Sequence, residues 1–297
     1  LSSDELVRST DLTNGDFDSR RYATLTVAPS VDFKLETGTL TLRTGATLDD
    51  SNRDSTAVLR VIGVALARQS AGGDTTFGIE YAATSQLPGY TALKSNPSGL
   101  FGGNPDLGRE RARQLSVTAS RDAGDWQGRA ALFSRRDDEL VDWTYASDAP
   151  FARQANAVDI DVTGFEALLT RQWSLVDLAV GYTYLDKDAD YGTALVDASF
   201  YALNFARHRA TLAVRYQLSN GLEVRLDNEY RRQQENPLRN GDDSTYLAAL
   251  SLVWMPAKLD GLDVSLIADN LTDSDYQPFP GTPAPGRQVS LSASYNW

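Results

Sequence analysis

The residues able to do chemistry are few. The 297-residue chain carries one histidine, His208, and no cysteine, so neither a His-based catalytic triad nor a multi-His or thiolate metal site can form. The stretch "DKDAD" spaces Asp186, Asp188 and Asp190 as calcium loops do. It lacks the glycine and the distal glutamate of an EF-hand, and reads as a solvated acidic loop. "RRDDEL" (Arg135 to Leu140) reads as a charged strand end, and His208 is expected where a loop meets its strand. Asn270-Leu271-Thr272 matches a glycosylation sequon, but Asn270 and Asp273 read better as turn residues closing a strand. The residues therefore predict no catalytic group, no metal site and no cofactor.

Composition narrows the partners. A net charge of -12, from 28 basic and 40 acidic residues, argues against nucleic acid, because phosphate binding needs a basic surface. Hydrophobic residues make up 41% of the chain with no apolar run long enough for a membrane helix. A transmembrane barrel stays open, since its strands carry only alternate apolar residues and look soluble in any hydropathy average. No basic and apolar leader precedes "LSSDELVRST", so a signal peptide is expected to be absent from this stretch.

The elements that would position a site are strands. Period-2 patterning predicts about thirteen of them, over 21–35, 39–49, 55–69, 75–86, 109–121, 126–141, 157–172, 176–186, 207–218, 221–233, 244–256, 261–270 and 286–297. Short turns ("ETG", "SAGGD", "RDAGD", "LSNG") alternate with long polar connections at 87–108, 142–156, 187–206 and 234–243. Short turns on one side and long loops on the other are the pattern of an outer-membrane barrel, whereas a soluble sandwich mixes its loop lengths.

Side-chain alternation agrees. In "LEVRLDNEYR", Leu222, Val224, Leu226 and Tyr230 share one face, and Glu223, Arg225, Asp227 and Glu229 share the other, which cannot enter a dry core. Trp126, Trp173, Trp254 and Trp297 fall beside short turns and Trp143 beside a long loop, as two interfacial girdles require. The final stretch "GRQVSLSASYNW" places Val289, Leu291, Tyr295 and Trp297 on an apolar face opposite hydroxyls and amides, as a barrel-closing strand would.

At this point the chain resembles the C-terminal part of the barrel of a TonB-dependent receptor. The resemblance rests on Asn104, Pro105, Leu107 and Glu110; on Gly164, Phe165 and Glu166; on Arg207, His208 and Arg209; and on Asn270, Leu271, Asp273, Tyr276, Pro285, Gly286 and Arg287. Family members often have Lys-Pro-Glu where this chain has Gly108, Arg109 and Glu110. The family resemblance implies an all-β transmembrane antiparallel barrel, with 1–297 the C-terminal portion of a wall of about 22 strands and the plug domain lying outside it. The alternative is one further strand within 1–20, around "ELVRST", which would give a complete barrel of about fourteen strands.

The resemblance also implies a function. It is active import of a scarce nutrient (siderophore, cobalamin or oligosaccharide) across the bacterial outer membrane, coupled to the TonB complex through a missing N-terminal region. Outer-membrane lipid and the barrel assembly machinery, which reads the last strand, are the further partners. Ligand contacts are expected in the outer loops, at Tyr90, Phe101 and Asn104, because loops on a rigid barrel hold binding residues. Glu223, Arg225, Asp227, Glu229 and Arg231 are expected to face the lumen and meet the plug. The competing readings are a plug-free barrel serving as a passive pore or surface binder, and a soluble sandwich that binds sugars.

Overall fold

The computed structural model describes residues 2–5, 19–95, 100–148, 152–259 and 261–296. Its strands are β1 (Ser2–Glu5), β2 (Ser19–Val27), β3 (Ser30–Leu35), β4 (Gly38–Ser51), β5 (Ala57–Ser70), β6 (Gly73–Gln86), β7 (Phe101–Gly102), β8 (Glu110–Ala123) and β9 (Trp126–Tyr145). They continue as β10 (Arg153–Gln172), β11 (Val176–Asp190), β12 (Ala198–Ser199), β13 (Ala206–Ser219), β14 (Leu222–Gln233), β15 (Ser244–Trp254), β16 (Leu262–Asp269) and β17 (Gln288–Tyr295). A five-residue helix, α1 (Tyr90–Lys94), lies between β6 and β7.

The long strands form one antiparallel meander in which each pairs with the next. β2 and β3 share β4 as partner, so they are one rung broken at Ala28 and Pro29, where proline can donate no ladder hydrogen bond. Each of the thirteen expected strands has its counterpart. β1, paired to β2, is an additional strand within 1–20; it ends on Glu5, the first residue of "ELVRST", and residues 6–10 lie outside the described residues. Among the described residues β17 pairs only with β16 and β1 only with β2, so the sheet does not close on itself.

Register converts the alternation into two surfaces. One row of partners runs Leu42, Val64, Ile79, Val117, Leu132, Phe165, Tyr184 and His208 across eight strands. The adjacent row on the opposite face runs Arg43, Gly63, Glu80, Ser116, Phe133, Gly164 and Leu185. The apolar face is bare: Val58, Ile62, Ile79, Val117, Leu132, Val289 and Leu291 are all about half exposed or more. A continuous exposed face of this extent is far beyond the apolar patches that soluble monomers tolerate, and lipid is the solvent that suits it.

Aromatic side chains bracket that face. Tyr216 and His208, and Trp254 and Tyr246, are each eight residues apart on one strand, about 26 Å along the strand at strand rise and about 20 Å in height at the usual tilt of outer-membrane strands, the order of their apolar band. Short turns lie at one end of the sheet, and long connections at the other. At the 71–72 turn only glycine fits position 73, since Gly73 has φ +117 and a Cβ there would stand 2.1 Å from the Asp122 carbonyl oxygen.

Candidate functional site

The long-loop end is built on a projecting ladder. β9 and β10 have 20 residues each, and their outer ends rise past the neighbouring strands to carry two loops, one on each face. This corrects the expected loop at 142–156, most of which is strand. A β-bulge makes the arrangement: Glu139 has φ +56, and the register between β9 and β10 shifts between Val158 and Ile160. Strict alternation from Arg135 would put Val141 and Trp143 on the polar side; the bulge puts Leu140, Asp142 and Thr144 there instead. "RRDDEL" is therefore the bulged middle of a strand and not its end. Arg135 pairs with Asp137 on the polar side, while Arg136 pairs with Asp138 on the other.

On the apolar side of the ladder lies the 87–109 connection. Ala92, Leu93 and Leu107 are buried with Ala155 and pack against Val141, Trp143 and Ala157. Trp143 is therefore part of a protein core and not of the membrane girdle. The Phe101 ring meets Trp143 edge-on at 4.9 Å, with the Arg153 guanidinium 5.5 Å from its centroid. Tyr90 opens α1, and the Arg20 guanidinium stands 4.3 Å from its ring centre. Asn104 donates its backbone N–H to the Ala92 carbonyl at 2.7 Å, and its side chain accepts from Asp106 N–H. Glycine is needed at 103, because a Cβ there would meet the Ser95 nitrogen at 2.5 Å. Tyr90, Phe101 and Asn104 thus share one packed segment, each already engaged within the protein.

Arg109 ties this loop to the 52–56 turn. It is 4% exposed and donates to both Asp54 oxygens at 2.6 Å and to Asp49 at 2.7 Å. The Arg109 guanidinium holds the Asp54 carboxyl below its ordinary range, and Asp54 in turn raises Arg109. Arg109 is thus a clamp between the 87–109 connection and the 52–56 turn.

On the polar side of the ladder lies a strap, residues 191–205, organised by one carboxylate. Asp142 is fully buried and accepts four hydrogen bonds: from the Tyr191 hydroxyl at 2.7 Å, the Ser199 hydroxyl at 2.6 Å, and the backbone N–H groups of Tyr201 (3.3 Å) and Ala202 (3.0 Å). Burial and the adjacent carboxylate push the Tyr191 hydroxyl up, so it stays a donor. Beneath the strap Val158, Ile160, Val162 and Ala202 form a second core. The strap reaches its neighbours through Asn236 donating to the Ser199 carbonyl, Arg239 to Asn204, and Asn204 to the Pro278 carbonyl. Asp142 was not singled out in the sequence; its signal is a lone carboxylate alternating with Val141, Trp143 and Tyr145.

Below the strap the polar wall is a ladder of ion pairs. Arg215 bridges Asp177 and Glu223, Arg225 meets Asp227 at 2.7 Å, and Glu229 is shared by Arg209 and Arg231. The five expected wall residues thus lie on one face and pair there. Arg231 also stands 5.3 Å from the Tyr276 ring centre. A cavity of about 500 Å³ on this face, lined by Arg129, Phe133, Arg135, Asp137, Glu166 and Lys187, lies beside the second core.

His208 lies on the apolar face within β13, its Nδ1 2.9 Å from the Tyr182 hydroxyl and its ring 5.1 Å from that of Tyr184, so it belongs to the aromatic border. Asp186 meets Arg207 at 3.0 Å and Asp190 accepts the Gly192 N–H, while no metal-ligand cluster occurs among the described residues. Asn270 and Asp273 are turn residues with φ +47 and +53; Asn270 Oδ1 accepts Ser274 N–H and Asp273 accepts Arg287 N–H. On β17, Val289, Leu291 and Tyr295 face outward opposite Ala268, Leu266 and Leu262; Trp297 lies outside the described residues.

The comparisons agree with this architecture. The family described as TonB dependent receptor-like, beta-barrel matches residues 3–297. The FrpB iron transporter from Neisseria meningitidis has a similar fold at TM-score 0.65 and 18% identity, over 96% of this chain and 46% of that one. The siderophore receptor PirA from Pseudomonas aeruginosa gives 0.66 and 16%, over 94% and 47%. The copper transporter OprC gives 0.64 and 16%, over 94% and 48%. The chain thus spans just under half the length of these solved relatives. No curated protein matches it. With its two-faced sheet, aromatic borders and one-sided loops, the chain belongs to the TonB-dependent receptor family, as β-barrel wall of a Gram-negative outer-membrane protein.

Proposed function

We propose that the chain is the distal wall and outer loops of an energy-coupled receptor that imports a scarce nutrient of the siderophore, cobalamin or oligosaccharide class. The observation that carries this reading is the roof: the strap over the polar wall is pinned by a buried carboxylate and linked to two further loops. A structured roof over a charged lumen suits capture and gated release, whereas a passive pore needs an open mouth. The similar solved proteins are named as iron, siderophore and copper transporters, which supports uptake without choosing the substrate. In this reading the plug and the segment that meets TonB belong to the remainder of the receptor. The polar wall exchanges some of its ion pairs for plug contacts, and the assembly machinery reads the last strand.

The test is uptake by cells whose only receptor of this kind is the full-length protein, fed radiolabelled ferric chelates, cobalamin or oligosaccharides in turn. Accumulation of one of them that stops when the proton-motive force is collapsed or TonB is deleted is the expected result. Accumulation that persists without either would make the barrel a passive pore.

A further inference from the structure

We propose that Trp126, Arg171 and Trp173 form a binding site for the phosphate group of a phospholipid in the periplasmic leaflet. Arg171 lies on the apolar face of β10, two residues after Leu169, and its register partners are Trp126 and Leu178. Its guanidinium carbon stands 4.5 Å from the Trp126 ring centre and 4.2 Å from that of Trp173, in the V between indoles 6.2 Å apart at 67°. Both rings are held by the backbone of tight turns, Gln172 N–H donating to the Asp125 carbonyl and Trp173 N–H to the Val176 carbonyl.

Among the described residues Arg171 makes no ion pair, and its Nε is buried without an acceptor. The polar-wall arginines Arg209, Arg215, Arg225 and Arg231 are matched to carboxylates, whereas Arg171 is fixed between two rings with no ion pair, an arrangement that points to an external anion. Charge segregation at this end supports it. Arg68 and Arg121 share the outward face with Arg171, while Asp74, Asp122 and Asp177 point to the polar side. Asp125 lies in the turn itself. In a chain of net charge -12, the outward-facing Arg68, Arg121 and Arg171 at the short-turn, periplasmic end face phospholipid headgroups. A planar guanidinium stacked on indole keeps its geometry and presents its free N–H groups to phosphate oxygens.

The test uses the full-length receptor extracted in dodecyl maltoside and examined by native mass spectrometry with added phosphatidylglycerol. At least one retained phospholipid is expected in the wild type, with occupancy about tenfold lower in Arg171→Gln and partly restored in Arg171→Lys. Equal occupancy in wild type and Arg171→Gln would overturn the proposal. Should Arg171→Gln not assemble, the wild type alone decides. Its thermal midpoint must rise with short-chain phosphatidylglycerol, and must not rise with inorganic phosphate or an uncharged diacylglycerol at equal concentration. A rise with all three, or with none, overturns the lipid site; a rise with inorganic phosphate but not diacylglycerol makes it a free-phosphate site instead.

Discussion

Gly164 lies directly beneath Phe133: a Cβ built on Gly164 would stand 2.2 Å from the ring's Cζ. The two are register partners on the polar side of β10 and β9, and the ring takes the space that the glycine leaves. This accounts for the Gly-aromatic-Glu motif, with Gly164 and Glu166 facing inward and Phe165 outward. Gly164→Ala should cost about 1–3 kcal/mol, the range for inserting volume into a packed site. Thermal unfolding in detergent checks it, and Phe133→Leu in the same chain should restore most of the loss. An unchanged midpoint in Gly164→Ala would mean that the ring is free to move.

Arg109 and Asp54 make the outer rim sensitive to acid. Because the Asp54 carboxyl is held below its ordinary range by Arg109, its contribution is complete above the unfolded value of about 3.9. It is lost as pH falls through the lower, folded value. Arg109→Met leaves Asp49 and Asp54 without their partner. It should cost about 2–3 kcal/mol, less than a fully buried pair, since Asp54 keeps some solvent contact. Urea unfolding between pH 3 and 7 should show an acid-side slope in the wild type that is reduced in Asp54→Asn; identical slopes would remove Asp54 from the account.

Asp142 should decide whether the strap stays down. Asp142→Ala leaves the hydroxyls of Tyr191 and Ser199 and two backbone N–H groups without their acceptor, a loss of about 3 kcal/mol or more. The expected outcome is cleavage within 191–205 by protease added to intact cells, together with lower uptake. Continued protease resistance of the strap would show that Arg239, Asn236 and the second core suffice.

The lipid-facing side of the last strand should be intolerant of charge. Leu291 is 74% exposed and pairs with Leu266, so Leu291→Arg should cost about 2–4 kcal/mol near the midplane. The heat-modifiable band in outer-membrane fractions reads it. Trp297→Ser should lower that band far more than it lowers ligand affinity of protein refolded in detergent.

Replacing residues 90–103 should change ligand binding while the barrel still forms. The replacement must keep Gly103 and the Ala92 and Leu93 contacts, because these hold the segment against Trp143. Normal uptake and affinity with a folded replacement would take Tyr90 and Phe101 out of the ligand site.

Alternation, turn chemistry and aromatic spacing depend on near neighbours. That is why the thirteen long strands, apart from the outer ends of β9 and β10 that were expected as loop, and the polar face of Glu223, Arg225, Asp227, Glu229 and Arg231, are readable in one dimension. The fold of each rung follows from which of its faces can meet lipid. The roof is a matter of tertiary structure. A single residue at φ +56, Glu139, exchanges the faces of β9 beyond it, and the alternation of Val141, Asp142, Trp143, Thr144 and Tyr145 does not say which face is which until that residue is placed. Only after it does Asp142 turn toward a segment some sixty positions away, where Ser199 and Ala202 complete its hydrogen bonds. Arg109 likewise finds Asp54 across 55 residues. Such pairings between distant segments are set by register across many strands, and by the cost of leaving a buried charge unmatched.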